Sequence, residues 1–373
     1  MILMGMFWLR QNSKVFYQSK KKISMKTISV LAITKNGISI GGQLKKIFPD
    51  WSVFAPSKFK NNEDITWYSE STTEKVIELF KKSEALICLF SLGAVIRLIA
   101  PHLKDKKTDP AVIVIDDKAN FVISVLSGHI GGANELTQEI ADKIKATAVI
   151  TTAADVNKTI AVDLIGRDFG WKIDDESTVT KVSAYMVNEE KIGVFQDVGN
   201  RKWYKELPSN VKIFESIDEL KNSGSKGFLI ITDKKLEGQF LSDAVIYRPP
   251  SLVVGVGLHW DTEKDTIKEG IDVSMNRFNL SPKSIGVLAS IKKPKDVQGL
   301  VDLGKEIKVP VEYVNREDLN EITTPNPSKT VQAFEGTSSV SEAAAIKVSG
   351  GDLVVEKQKF PPNLTIAVAR RLD

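Results

Sequence analysis

The segment Ser127–Asn134 reads SGHIGGAN, a run whose residue types suit the binding of an anion. Glycine tolerates positive φ angles and carries no Cβ, so successive glycines let backbone N–H groups converge on one point. A helix is predicted to start directly afterwards, and its N-terminal amides also favour an anion. We predict that five residues bind a phosphate or a carboxylate: Ser127, Gly128, Gly131, Gly132 and Asn134. The alternative is a tight strand–helix turn that holds no ligand.

His129 lies inside this segment and is our candidate general acid or base, because imidazole titrates near neutral pH. It could equally donate a hydrogen bond to a substrate carboxylate, and the sequence does not separate the two roles. The spacing differs from that of dinucleotide-binding loops, and the lysine of a P-loop is missing. The chain has three histidines and one cysteine, with no pair at metal-ligand spacing. We therefore expect no metal site of the protein's own, and we expect Cys88 in the core.

A second candidate turn is Ser91-Leu92-Gly93-Ala94, which follows the apolar run ALICLF. We expect Ser91 and Gly93 to neighbour SGHIGGAN in the sheet. Arg97, one turn into the next helix, could bind a carboxylate bidentately. An ion pair of Arg97 with Asp109 or Asp116 is the structural alternative.

Further candidates lie at other strand ends. Asp155 closes the run TTAAD after a predicted strand and is expected to line the same edge, although Thr and Asp also cap helices. In the last third of the chain, GVG is predicted to form a backbone-exposing turn and PNPS a rigid loop. Lysines near a strand end there could bind carboxylates or simply be solvated. The candidates in this part are Gly255, Gly257, Asn326, Ser328, Glu342 and Lys357.

The composition is that of a soluble globular protein, with 42% hydrophobic and 26% charged residues. The formal charge of +4 is spread along the chain, whereas nucleic-acid binders concentrate their basic residues. Such a balance suits a polyanionic small molecule at least as well as nucleic acid. The apolar start MILMGMFWL is too short to span a membrane, and no basic residues precede it, whereas a signal peptide begins with basic residues and then turns apolar. We expect a cytoplasmic protein in which residues 1–24 are an extension outside the fold.

Short apolar runs alternate with amphipathic stretches along the chain, which predicts an α/β fold with largely parallel sheets. We expect an N-terminal α/β domain over residues 25–156 and a C-terminal α/β domain over 252–373. A smaller, less regular α/β middle domain over 157–248 joins them. Arg248-Pro249-Pro250-Ser251 is predicted to be a stiff linker, because successive prolines favour an extended backbone.

The order of several motifs resembles that of a known family. SLGAVIRLIAP, DKKTDPAVIVID, FVISVLSGHIGGANELTQEIA and VITTAADV resemble the N-terminal domain of the cobalamin biosynthesis protein G family. GVG, LASI, PNPS, SSVSEAAAI, VEKQKF and TIAVAR resemble its C-terminal domain. The resemblance covers nearly all of residues 25–371. One departure is Leu258-His259-Trp260, where the family typically has Cys-Arg-Arg, so no role of those side chains carries over.

This resemblance implies hydrolysis of cobalt-precorrin-5A on the anaerobic route to vitamin B12, with opening of a δ-lactone and release of acetaldehyde. Cobalt would arrive within the tetrapyrrole substrate, so no cofactor is expected. The resemblance leaves room for a homodimer and for transient contact with other cobalamin-pathway enzymes, and implies neither nucleic acid nor membrane as a partner. Water activated by His129 or a nearby carboxylate would attack the lactone, with the Gly131 and Gly132 N–H groups holding the oxyanion. A corrinoid carrier and a nucleotide-dependent transferase are the rival classes.

Overall fold

Strands and helices alternate throughout the computed structural model, which describes residues 25–60, 64–105, 108–156 and 159–372. The predicted N-terminal extension, residues 1–24, lies outside these ranges. The strands form three largely parallel sheets, which confirms the predicted α/β class. The chain divides into two compact units, one ending at Leu164 and the other beginning at Ile165. The first unit contains one sheet and the second contains two.

The sheet of the first unit has seven strands in the order β3-β2-β1-β4-β5-β6-β7. The strands are β1 Ile28–Ala32, β2 Ser52–Pro56, β3 Thr66–Tyr68, β4 Ala85–Leu89, β5 Ala111–Ile115, β6 Phe121–Leu126 and β7 Thr147–Val149. Neighbours run parallel except β5 and β6, which pair antiparallel with Val112 opposite Leu126. This reversal decides which loops share an edge of the sheet.

Helices cover both faces of this sheet. They are α1 Lys35–Ile47, α2 Thr72–Lys82, α3 Leu92–Ile99, α4 Ala133–Ile144 and α5 Ala153–Val156. Every residue of β1, β4 and β5 is buried, as continuous apolar strands between two helical layers should be. Alternate strand residues point to opposite faces, so Val30 packs in the cluster with α1 and α4, and Leu31 in the cluster with α2 and α3. Cys88 is fully buried in the core, as predicted.

The second unit contains two five-stranded sheets, in the orders β10-β9-β11-β12-β8 and β15-β14-β13-β17-β16. The strands of the first are β8 Lys172–Ile173, β9 Ile192–Gln196, β10 Val211–Phe214, β11 Gly227–Ile231 and β12 Ala244–Arg248. Those of the second are β13 Leu252–Gly257, β14 Ile285–Ile291, β15 Val311–Val314, β16 Leu353–Phe360 and β17 Leu364–Arg370. The helices of this unit are α6 Val179–Val187, α7 Ile217–Lys221, α8 Lys264–Arg277, α9 Gln298–Ile307, α10 Arg316–Asn320, α11 Lys329–Glu335 and α12 Ser341–Ser349.

Gly255 and Gly257 lie inside β13 rather than in a turn, so that prediction is wrong. β13 pairs with β14 on one side and β17 on the other, which buries both glycines among backbone neighbours. A Cβ on Gly255 would lie 1.8 Å from the carbonyl oxygen of Ser341. The missing side chain therefore lets α12 pack directly on the strand, and neither glycine exposes its backbone to a ligand.

The segment Arg248–Ser251 joins the two sheets of the second unit as a packed connection. Arg248 is 2% exposed, and its guanidinium donates to Asp174 Oδ2 over 2.8 Å. Ser251 Oγ donates to Asp233 Oδ2 over 3.0 Å. Arg370, at the end of β17, binds both carboxylate oxygens of the fully buried Asp233 at 2.8 Å. Buried charges with paired hydrogen bonds, rather than stiff prolines alone, therefore join the two sheets.

Candidate active site

The SGHIGGAN loop makes a tight turn between β6 and α4. Gly132 immediately precedes α4 and has a φ of 79°, a left-handed conformation that glycine adopts without strain. At Gly131 a Cβ would lie 2.4 Å from the Cβ of Ser127 and 2.7 Å from its carbonyl oxygen. These contacts explain why glycine occupies both positions, whether or not the loop binds a ligand.

Three backbone N–H groups at the start of α4 are used inside this loop. The Gly132 N–H donates to His129 O over 3.0 Å, and the Ala133 N–H donates to Ser127 O over 3.2 Å. The Asn134 N–H donates to Gly128 O over 3.0 Å. These bonds satisfy amides that a helix N-terminus would otherwise offer to an anion. The prediction that the Gly132 amide holds an oxyanion is therefore wrong for this conformation, because a ligand would first have to displace a hydrogen bond.

Asn134 and Ser127 hold the loop in place through their side chains. Asn134 is 2% exposed; its Oδ1 accepts from Ser124 Oγ over 2.6 Å, and its Nδ2 donates to Thr152 Oγ1 over 2.8 Å. Ser127 Oγ donates to the carbonyl oxygen of Asp109 over 2.9 Å. The run containing Thr152 therefore lies at the same edge as SGHIGGAN, as predicted. The side chain of Asp155, the substrate-binding candidate of that run, lies outside the described part of the structure.

His129 lies beside a carboxylate that the sequence did not single out. Its Nδ1 is 3.5 Å from Oδ1 of Asp163, and the two side chains are only 16% and 18% exposed. Asp163 belongs to a 3₁₀ turn, Val162–Leu164, at the end of the first unit. The sequence around it shows only an amphipathic pattern, so only the fold reveals that the two residues meet. A partly buried imidazole beside a carboxylate is an arrangement suited to general acid–base chemistry.

The turn that begins at Ser91 lies at the opposite edge of the sheet from SGHIGGAN. It follows the carboxyl end of β4, which is parallel to β5, whereas SGHIGGAN follows the carboxyl end of β6, which is antiparallel to β5. Strands of five residues, such as β4 and β5, span about 16 Å, and this length separates the two edges. The expectation that Ser91 and Gly93 neighbour SGHIGGAN is therefore wrong.

Arg97 is exposed and donates from Nη1 to Gly93 O over 3.3 Å. The two carboxylates suggested as its structural partners are used elsewhere. Asp109 and Asp116 accept from backbone N–H groups of their own loops, at 2.9 and 2.6 Å respectively. The guanidinium is thus placed at the surface, at the edge that carries the Ser91 turn.

A polar group that the sequence reasoning missed lies at this same edge. Asp117, just after β5, accepts from Thr34 Oγ1 over 2.6 Å and from Asn36 Nδ2 over 2.8 Å. These hydrogen bonds lower the pKa of the Asp117 carboxyl, Thr34 contributing most. They connect the loop after β5 to the start of α1. This structural role accounts for Thr34, Asn36 and Asp117 without a ligand.

In the second unit, the structure brings two predicted residues, Asn326 and Lys357, to a third, Glu342. This carboxylate is fully buried and accepts from Asn326 Nδ2 over 2.8 Å, from the Lys357 N–H over 3.1 Å and from Ser339 Oγ over 3.2 Å. A register shift in β16 between Val355 and Gln358 accompanies the turning of the Lys357 N–H to Glu342. Asn326 and Lys357 therefore contribute donors to one polar network around the buried Glu342 carboxylate.

Lys357 is held within this network. Its Nζ lies 3.8 Å from Glu342 Oε2 and contacts the carbonyl oxygen of Asn326. Burial lowers the pKa of Lys357, Glu342 opposes this effect, and Lys359 adds to it. Ser328 has a separate role, since its Oγ accepts from Val331 N over 3.3 Å and caps α11.

Among the described residues, no group of three or more His, Cys, Asp or Glu side chains is placed to hold a metal ion. Within those same residues, no helix is long and apolar enough to cross a membrane.

A cavity of about 440 Å³ lies between α9 and β15 and is lined in part by Asp296 and Tyr313. None of the predicted site residues lines it.

Comparison with known proteins gives consistent matches along the chain. Residues 74–155 match the cobalamin synthesis G N-terminal model, 160–249 the cobalamin biosynthesis central region and 252–369 the cobalamin synthesis G C-terminus. A cobalt-precorrin-5A hydrolase of Priestia megaterium is 42% identical over 91% of this chain and 94% of its own. One of Salmonella typhimurium is 28% identical over 90% and 95%.

A solved structure of a cobalamin biosynthesis protein G homologue from Sulfolobus solfataricus covers 93% of this chain and 98% of its own. It has 23% identity to this chain and a TM-score of 0.37. The family assignment rests on the sequence relatives, because the identity to the Priestia megaterium protein extends over nearly the full length of both chains. The chain belongs to the cobalamin biosynthesis protein G family.

Proposed function

We propose that the protein hydrolyses cobalt-precorrin-5A, opening its δ-lactone and releasing acetaldehyde to give cobalt-precorrin-5B. The observation that carries this proposal is 42% identity, over 91% of the chain, to a cobalt-precorrin-5A hydrolase. A corrinoid carrier or a nucleotide-dependent transferase would not account for that match.

The chemistry consumes one water and releases one acetaldehyde. Water adds to the lactone carbonyl, and collapse of the tetrahedral intermediate breaks the acyl C–O bond to give a carboxylate and an alkoxide. The alkoxide carbon then becomes the aldehyde carbon of acetaldehyde as its bond to the macrocycle breaks. The electron pair of that bond stays on the macrocycle, which takes up a proton. A single acid–base group could remove a proton from water first and return one later.

His129 is the residue we propose for this proton transfer. It belongs to the SGHIGGAN loop, and its imidazole is largely shielded beside Asp163. The N–H of Gly131 is the proposed oxyanion donor, since that of Gly132 closes the turn. Hydrogen bonding to a substrate carboxylate is the competing role for His129, and it predicts a raised KM with kcat retained.

The substrate would bring its own cobalt, so we propose that the protein needs no further metal or cofactor. We expect it to act in the cytoplasm, where the remaining enzymes of the pathway could receive its product by transient contact. Sedimentation of the purified chain would measure whether two copies form a homodimer.

The direct test is to incubate the purified protein with cobalt-precorrin-5A and measure acetaldehyde. Catalytic release, with cobalt-precorrin-5B as the corrinoid product, is expected. His129→Ala and His129→Gln should lower kcat about a hundredfold or more if His129 is the base. Binding of the substrate without any acetaldehyde from the wild-type protein would instead establish a carrier, and near-normal turnover by both variants would remove His129 from the mechanism.

A further inference from the structure

The pair formed by His129 and Asp163 is suited to more than local stability. The 3.5 Å separation of Nδ1 and Oδ1 is slightly longer than an ordinary hydrogen bond. Catalytic hydrogen bonds are often long before substrate binds and tighten in the complex. With exposures of only 16% and 18%, both side chains are largely shielded from water, so the carboxylate acts on the imidazole through a poorly screened contact.

The geometry distinguishes the two nitrogens of the ring. Asp163 approaches Nδ1, so a proton on Nδ1 is the one the carboxylate stabilises. When the neutral imidazole carries its proton on Nδ1, Nε2 is unprotonated. An unprotonated Nε2 is able to accept a proton from water. If a proton is accepted at Nε2, the imidazolium that forms is stabilised by the adjacent carboxylate.

We propose that Asp163 is a positioning residue that fixes the tautomer and orientation of His129 during lactone hydrolysis. The inference rests on the proposed function for its catalytic part and on the pair itself for its structural part. Asp163 acts through His129 and need not touch the substrate. It lies beyond the loop that carries the motif, on the 3₁₀ turn after α5.

A purely structural role for Asp163 makes a different prediction. If Asp163 only stabilises the first unit, replacing it should lower turnover by the same factor in every background, including one that lacks His129. A residue that acts through His129 loses its effect on turnover once the imidazole is gone. The two roles are therefore separated by a double-mutant cycle.

The experiment compares acetaldehyde release by the wild type, His129→Ala, Asp163→Asn, Asp163→Glu and the His129→Ala/Asp163→Asn double variant. Asp163→Asn should lower kcat about tenfold to a hundredfold with little change in KM, and Asp163→Glu should restore part of the loss. Adding Asp163→Asn to His129→Ala should change kcat by less than about twofold. Asp142→Asn, an exposed change on α4, is the matched control and should be near normal.

Nitrogen chemical shifts of ¹⁵N-labelled histidine provide a readout that needs no substrate. The wild-type His129 should be protonated on Nδ1, Asp163→Asn should increase the Nε2-protonated form, and Asp163→Glu should retain the wild-type tautomer. Equal losses of kcat from Asp163→Asn in both backgrounds, or an unchanged tautomer in that variant, would overturn the proposal. If the wild type releases no acetaldehyde but the tautomer still depends on Asp163, the proposed function fails and the pairing stands.

Discussion

Asn134 Nδ2 donates to Thr152 Oγ1 over 2.8 Å, and this bond joins the loop after β6 to the segment after β7. The other side-chain amide atom of Asn134, Oδ1, accepts from Ser124 Oγ over 2.6 Å. Asn134 is 2% exposed, and both polar atoms of its side chain are therefore satisfied. His129 lies in the turn that Asn134 terminates, and its carbonyl oxygen accepts from the Gly132 N–H. We infer that Asn134 stabilises the loop conformation that places the imidazole.

Replacement of Asn134 by alanine should therefore affect both stability and turnover. The change leaves the hydroxyls of Ser124 and Thr152 without their amide partner, which should cost about 1–3 kcal/mol of unfolding free energy. Urea denaturation measures the stability loss, and acetaldehyde release measures the effect on the loop. Gln138→Ala, further along α4, is the control, and its loss should stay below about 0.5 kcal/mol. An Asn134→Ala protein as stable as that control would contradict the role given to the amide.

The sequence predicted the local elements of this site better than their arrangement. SGHIGGAN, the strand before it and the helix after it follow from glycine content and apolar periodicity. The direction of β6 was missed, although five residues, 116–120, separate it from β5. Parallel strands need a crossover of about a dozen residues or more, so this short connection requires a hairpin. That signal would have placed Ser91 at the opposite edge.

Contacts between distant segments could not be read from local patterns. Asp163 reaches His129 only because the chain folds back after β7, and no spacing in the sequence encodes that return. Glu342 was predicted to bind substrate as one candidate of several. In the structure its buried carboxylate is satisfied by donors from Asn326, Ser339 and the bulged backbone at Lys357. Only the folded strand order brings these donors together, so the sequence alone did not reveal them.

Gly131 and Gly93 form a matched pair for testing the need for glycine. A Cβ at Gly131 would meet Ser127 Cβ at 2.4 Å and its carbonyl oxygen at 2.7 Å, whereas at Gly93 its nearest neighbour is the flexible end of Arg97 at 3.4 Å. Gly131→Ala should distort the loop, lower kcat/KM by about tenfold or more and destabilise the protein by about 1–3 kcal/mol. Gly93→Ala should leave stability within about 0.5 kcal/mol of the wild type or raise it slightly. Equal effects in the two variants would show that the close contact does not constrain the loop.

Glu342→Ala tests whether the buried network of the second unit stabilises the fold. The carboxylate is fully buried, and its removal leaves the Asn326 amide, the Ser339 hydroxyl and the Lys357 ammonium without their shared acceptor. A loss of about 3–5 kcal/mol is expected, as for other buried charges that lose their partner. Thermal and urea unfolding measure it. Glu312→Ala, which removes an exposed carboxylate on β15, is the comparison and should cost clearly less. A stable Glu342→Ala protein with a raised KM would instead support the original substrate-binding prediction.

Glu78 on α2 should contribute to the pH dependence of stability. Hydrogen bonds from Lys75 and Lys82 lower its pKa from the ordinary 4.5 to about 2. A depressed carboxyl pKa stabilises the folded state above the ordinary value, and the contribution is lost as the pH falls through the folded value. Because the Glu78 side chain is 38% exposed and screened by solvent, the effect at neutral pH should be only about 0.2–1 kcal/mol.

Urea unfolding of the wild type and Glu78→Gln at several pH values measures this contribution. The difference in unfolding free energy should be constant near neutral pH, shrink below about pH 4.5 and approach zero near pH 2. Glu237→Gln, at an exposed position, is the control for removing one negative charge. A difference that stays constant down to pH 2, or that matches the control throughout, would show that Lys75 and Lys82 do not hold the Glu78 carboxylate in its charged form.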